Sequence, residues 1–135
     1  MALKLAVLLR NARLDVIESH LGTSPILKIF AGTAPAGPDS ADGAGAVLAT
    51  VTLPSDWLSA ASGGQIALSG TWQDASADNA GTATHFRLYT SGSVCKVQGT
   101  VTATGGGGDM TVDNVVFAAG QQFTVTSFTL TDGNA

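Results

Sequence analysis

Enzymatic chemistry needs a nucleophile beside a base, a pair of carboxylates, or a set of metal ligands, and this chain holds few of each. Cys95 is the only cysteine, and His20 and His85 are the only histidines. Cys95 and His85 fall on adjacent strands of one predicted hairpin, so they form the single nucleophile-and-base pair on offer. Nothing activates the thiol. No helix N-terminus precedes it, and Lys96 alternates to the other face of the strand. Cys95 therefore reads as a small packed hydrophobe. His20 lies near the end of a predicted helix, where partial positive charge suits the dipole. Both histidines are expected at a surface or interface rather than as ligands. A lone cysteine also rules out an internal disulfide and a thiolate metal cage within one chain.

The carboxylates give no stronger signal. Asp74 and Asp78 share one loop, and Asp109 and Asp113 flank a short strand. Paired carboxylates can cleave glycosides or hold calcium. The spacing here matches no calcium loop, and Glu18 is the only glutamate. Aspartates at the ends of β loops more often bond the nearby backbone and make turns. Gly105-Gly106-Gly107-Gly108-Asp109 is no phosphate loop, because it lacks the Lys-Ser/Thr ending and leads into a strand. Its physical content is mobility or close backbone approach. Trp57 and Trp72 could stack on sugars but read first as core anchors. No catalytic residue, metal ligand or cofactor is assigned.

Positioning falls to elements that are mostly strands. The one convincing helix is predicted from about Leu3 to Leu21. Leu3, Val7, Leu14, Ile17 and Leu21 form one apolar stripe, and Leu5, Leu9, Ala12 and Val16 form a second. Arg10, Arg13, Asp15 and Glu18 hold the polar remainder, and Gly22 supplies the stop. A helix this apolar is buried between layers or meets a partner. Leu5, Leu9, Ala12 and Val16 are the candidate partner contact.

Strands are predicted at Pro25–Ala31, Val47–Leu53, Gln65–Trp72, Thr84–Tyr89, Val94–Thr102, Met110–Val112, Val115–Phe117 and Gln122–Leu130. Ser91-Gly92-Ser93 turns one hairpin, and Ser55 caps a predicted helical turn through Leu58. Gly32–Gly45 and Gln73–Gly81 read as loops. Seven or eight short strands with turns about every ten residues suggest a β-sandwich, jelly-roll-like, over residues 23–135, with an amphipathic helix over residues 1–22, all in one domain.

Composition narrows the function classes. The 135 residues are 44% hydrophobic, enough for a core, but only 12% charged. An average soluble domain carries about 25% charged residues. A surface so poor in charge suits a protein packed against neighbours. Net charge is −4, with +1 over residues 1–21 and −5 over the remainder. No basic stripe serves nucleic acid, and no polybasic segment serves an anionic membrane. The apolar run Leu5–Leu9 spans five residues before Arg10, too short for a signal peptide or a membrane span. The chain is thus expected to be made in a cytoplasm and not exported.

Several phrases carry a resemblance: Leu53-Pro54-Ser55-Asp56-Trp57, Ser69-Gly70-Thr71-Trp72-Gln73-Asp74, Gly81 through Tyr89, Gln98 through Asn114, and Phe128 through Ala135. With the N-terminal helix, they resemble a group of small virion proteins of tailed bacteriophages. Within that group the chain is similar to capsid cement or decoration proteins. The resemblance implies a homodimer or homotrimer that clamps the major capsid protein on the outer surface of the assembled shell. Two other expectations stand beside it. A tail, collar or fibre adhesin would need Trp57, Trp72 or Tyr89 exposed for a glycan. A small hydrolase would rest on Cys95 and His85.

Overall fold

A computed structural model describes residues 3–133. One helix, α1 (Val7–Leu21), precedes ten strands: β1 (Ile26–Phe30), β2 (Val47–Thr52), β3 (Gln65–Ala67), β4 (Gln73–Asp74), β5 (Gly81–Thr82), β6 (His85–Tyr89), β7 (Cys95–Ala103), β8 (Met110–Val112), β9 (Val116–Phe117) and β10 (Phe123–Thr131). The protein is mainly β, with a large mixed sheet ordered β2-β1-β6-β7-β8-β10-β3. Strand β4 also pairs with β10, and β5 pairs with β9 as a separate two-stranded sheet.

The long strands form where apolar residues alternate. Leu27 and Ile29 of β1 lie beside Leu88 and Phe86 of β6, and all four are buried. Phe86 also meets the ring of Phe128 on β10, at 5.6 Å and nearly perpendicular. Strands β7 and β8 lie between them in the sheet order. Gly99 of β7 leaves the room: a Cβ there would stand 2.6 Å from the Phe86 ring. Trp57, Trp72 and Phe128 pack in series, with centroids 5.9 and 5.3 Å apart.

Bulges alter the simple alternation. A register shift between Val125 and Ser127 of β10 turns Phe128 inward, so Phe123, Val125 and Phe128 are all buried. Strict alternation would have put Phe128 on the opposite face. The predicted strand Gln65–Trp72 is broken. It pairs to Ala67, bridges at Leu68, and turns at Gly70, whose φ of +73° favours glycine. The predicted loop Gln73–Gly81 carries β4 at one end and begins β5 at the other. Ser55–Leu58 forms no helical turn; Leu58 instead bridges Leu68.

The glycine run makes a connection that periodicity does not announce. Strands β7 and β8 are parallel, Val101 beside Met110 and Ala103 beside Val112, with only residues 104–109 between them. The chain turns twice and runs again beside itself. Gly105 and Gly107 supply φ of +84° and +81°. A Cβ on Gly106 or Gly108 would stand 2.7 or 2.9 Å from the Thr102 side chain. Asp109 closes the turn by accepting the Thr100 N–H and hydroxyl, both at 2.9 Å.

The outer edge of β2 is covered by residues 74–79. Asp78 N–H donates to Leu48 O at 2.7 Å, and the Asn79 side chain donates to Val47 O at 2.8 Å. Asp74 accepts Thr50 N–H at 3.3 Å, and Asp78 accepts the Thr50 hydroxyl at 3.0 Å. These bonds take the place of a neighbouring strand. Since β4 pairs with β10, they also draw the far side of the large sheet toward β2.

Candidate functional site

The helix is shorter and turned differently from expectation. It begins at Val7, four residues after Leu3, behind Ala6, whose side chain cannot cap the free N–H groups. Most of its polar residues bond the body rather than forming a free solvent face. Glu18 accepts the N–H groups of Trp57 and Leu58, each at 3.1 Å. Asp15 accepts Ala61 N–H at 2.9 Å, and Asn11 accepts Gly64 N–H at 2.8 Å. Arg10 donates to Asp132 O at 2.9 Å, and Arg13 pairs with the Asp132 carboxylate at 3.2 Å. The segment 57–64 turns beside β3 and presents backbone N–H groups that need acceptors. The helix brings those acceptors, with Leu14 and Leu21 buried on the same side.

Tethering that side of α1 turns the other outward. Leu9 is 50% exposed and Val16 58%, with Ala12 exposed between them. Leu5 precedes the helix and is half-buried. Leu8 is also exposed. The two apolar stripes therefore lie on opposite sides of α1; Arg10, Asn11 and Glu18 are half-buried on the body side, while Arg13, Asp15, Ser19 and His20 are exposed. That is not the arrangement of an amphipathic surface helix, which is apolar toward its own core and polar toward water. A shallow apolar groove lined by Val16, Ile17, His20, Leu21, Lys96 and Val97 continues from the outward stripe.

A second site lies under the long loop. Strand β6 is buried on both faces, although only Phe86 and Leu88 meet the main core. On the other face, residues 33–45 cross His85, Arg87 and Tyr89. Arg87 holds the loop down. Its Nη2 donates to Ser40 O at 2.7 Å and Pro38 O at 3.2 Å, and its Nη1 to Gln98 Oε1 at 2.6 Å. Its Nε faces Asp42 at 3.0 Å and the Tyr89 hydroxyl at 3.2 Å. Gln98 in turn donates to Pro35 O at 2.8 Å, and the Tyr89 hydroxyl donates to Asp42. Burial, followed by the bond to Asp42, pushes the Tyr89 phenol well above its ordinary range.

Beside this network lies an open cleft of about 410 Å³ between residues 38–42 and the β6–β7 hairpin. A small ligand would fit by volume. The guanidinium that would recognise an anion is instead spent on loop carbonyls, Gln98 and Asp42. Cys95 opens on the same cleft, and burial pushes its thiol up rather than down.

The one nucleophile-and-base pair on offer, Cys95 with His85, is not brought together. Cys95 pairs across from Tyr89, whereas His85 pairs with Thr100. Four residues of strand separate the two, about 13 Å at the usual rise. His85 is not a surface residue: it is 2% exposed and stacks on Phe30 with ring centroids 5.1 Å apart. Burial, then the nearby Arg87 charge, holds it below its ordinary value of 6.5. Its Nδ1 lies 2.9 Å from the Thr84 hydroxyl, which also donates to Gly32 O at 2.6 Å. His20 is exposed at the end of α1.

The aspartates are occupied by the fold. Asp74 accepts Ser76 N–H at 2.9 Å as well as Thr50, and Asp113 accepts Thr124 N–H at 3.1 Å. Among the described residues, no three His, Cys, Asp or Glu side chains gather as a metal site. Nor is any described helix long and apolar enough to cross a membrane. Trp57, Trp72 and Tyr89 are all buried, and each indole N–H is satisfied, by Gly22 O at 3.1 Å and Ser69 O at 3.2 Å. None of the three presents a ring to solvent.

Arg87 is the residue that sequence reasoning missed. It sits in an alternating strand like any outward-facing charge. The available signal was the fourteen-residue stretch Gly32–Gly45, rich in Gly, Ala and Pro and without periodicity. Such a stretch stays ordered only if something holds its carbonyls.

The geometry defines a mainly β protein with a strapped sheet face and a helix whose apolar stripe is turned away from its own core. Compared with known proteins, no family model, curated protein or solved structure matches this chain.

Proposed function

We propose that this protein is a non-enzymatic structural component of a tailed-phage virion, a cement or decoration protein bound to the outer surface of the assembled capsid. The outward apolar face of the N-terminal segment carries the reading. Five of the seven large exposed hydrophobic side chains among the described residues, Leu3, Val7, Leu8, Leu9 and Val16, lie in this one segment. Grouped exposure of this kind marks an interaction surface. The tethers from Arg10, Asn11, Asp15 and Glu18 hold the face rigid, so little ordering entropy is lost when a partner meets it.

Three further features support the same reading. The 12% content of charged residues leaves little repulsion between close neighbours. The strapped loop and covered β2 edge make a stiff body of the kind a clamp needs. We read the curled sheet as a jelly-roll-like sandwich, supported by the bonds that draw residues 74–79 onto β2. The resemblance in phrases such as Ser69-Gly70-Thr71-Trp72-Gln73-Asp74 points to the phage setting. The major capsid protein is then the principal partner, and the virion exterior its location. The competing tail-adhesin reading asked for an exposed Trp57, Trp72 or Tyr89, and all three are buried.

Cement binds a junction that exists only after assembly. The purified protein is expected to co-sediment with assembled shells and not to bind free capsid subunits. Equal binding to free subunits would overturn the clamp.

A further inference from the structure

The outward stripe of α1 has a more specific pattern than general apolarity. Leu9, Ala12, Val16 and Ser19 are spaced three, four and three residues apart and lie on one exposed side. That is the a-d-a-d seam of a coiled coil, which takes another helix by knobs-into-holes packing. The described residues contain one helix, so none of them supplies this seam with a second. Small Ala12 and Ser19 at the d positions allow close approach.

The flanks of the seam select the direction. With Leu9 and Val16 at a, Leu8 and Asp15 occupy g, and Arg13 and His20 occupy e. In a parallel pair, each g position meets the e position of the partner's next heptad. Asp15 then faces His20 of the second copy, and Leu8 lies along the aliphatic stem of Arg13 of the second copy. In an antiparallel pair, e meets e and g meets g. Arg13 would face His20, and Leu8 would face the carboxylate of Asp15. The first arrangement is complementary and the second is not.

We propose that α1 pairs in parallel with α1 of a second copy, along the Leu9–Ala12–Val16–Ser19 seam, to form a two-fold dimer with its axis along the helices. Two heptads are ordinarily too short to associate, because an isolated helix must first be nucleated. Here the body already holds α1 folded, through Glu18 on Trp57 and Leu58, Asn11 on Gly64 and Arg10 on Asp132. Each body holds the Leu14 and Leu21 side of its helix, and Lys96 and Val97 border the seam beside Val16 and His20. An axis along the helices directs both bodies the same way, as two contacts on one shell surface require. The inference rests on reading this face as an interface, and it names a second copy as the first occupant.

The test places single cysteines on the seam of the full chain, with Cys95→Ser removing the native thiol. Leu9→Cys and Ser19→Cys are each oxidised alone and then as an equimolar mixture, since Leu9 faces Ser19 in an antiparallel pair. The parallel dimer gives a covalent homodimer from each variant alone, since each position faces itself across the axis. Cross-linking only in the mixture would mean antiparallel pairing and overturn the proposal. So would a single-chain mass for the unmodified protein by sedimentation at about 100 μM. The paired change Leu9→Glu with Val16→Glu is expected to leave the β-sheet circular dichroism intact and shift the mass from dimer to monomer. If the unmodified chain is monomeric but the Glu variants still lose shell binding, the seam contacts capsid directly. That outcome ends this inference and leaves the cement reading standing. A dimer that never binds shells does the reverse.

Discussion

Arg87 shows how one side chain can organise a surface. Its side chain is 1% exposed, and the guanidinium bridges the loop carbonyls of Pro38 and Ser40 to Gln98, Asp42 and Tyr89. A buried charge persists only when its donors are satisfied, and this one is satisfied by the loop it holds. Arg87→Met keeps the stem and removes the donors, leaving several carbonyls and Gln98 without their partner. Each bond to a charged group contributes about 1.5–3 kcal/mol. Because water replaces part of the loss at the loop, the expected change is about 3 kcal/mol in unfolding free energy. Residues 37–42 should also become sensitive to protease. Denaturant titration and limited proteolysis read both, and unchanged protection of that loop would mean that other contacts hold it.

At the level of elements, α1 is the informative case. Its apolar stripes were legible in the spacing of Leu9, Ala12 and Val16 and of Leu14, Ile17 and Leu21. The side that docks was not, because docking was decided by unpaired N–H groups at Trp57, Leu58, Ala61 and Gly64, far away in sequence. Glu18→Ala removes the acceptor of two of these groups, a loss of about 3 kcal/mol by the cost of charged hydrogen bonds. It is expected to loosen α1 and weaken the near-ultraviolet signal of Trp57, seen by circular dichroism alongside denaturant unfolding. An unchanged signal would show that Leu14 and Leu21 suffice to dock the helix. The same division holds for the strands. Strands β1, β2, β6 and β7 were readable because one face meets the core, giving alternation. The two-residue strands β4, β5 and β9 carry no period of their own. The parallel pairing of β7 with β8 depends on a turn that the glycines permit but do not declare, and the bulge at Val125–Ser127 erased the face assignment of Phe128.

At the scale of the whole molecule, a stiff body joins a rigid apolar face on a sparsely charged surface. The candidate nucleophile and base, Cys95 and His85, lie apart at opposite ends of one strand pair, and the aspartates are bonded to the backbone and hydroxyls around them. On the proposed reading this part acts by contact, and many copies on a repeating lattice turn modest contacts into a stable particle. On the cement reading, the direct measurement is the copy number of this chain in purified virions, by quantitative mass spectrometry against the major capsid protein. The cement reading predicts a ratio comparable with the shell protein. A handful of copies per particle, or none, would contradict it.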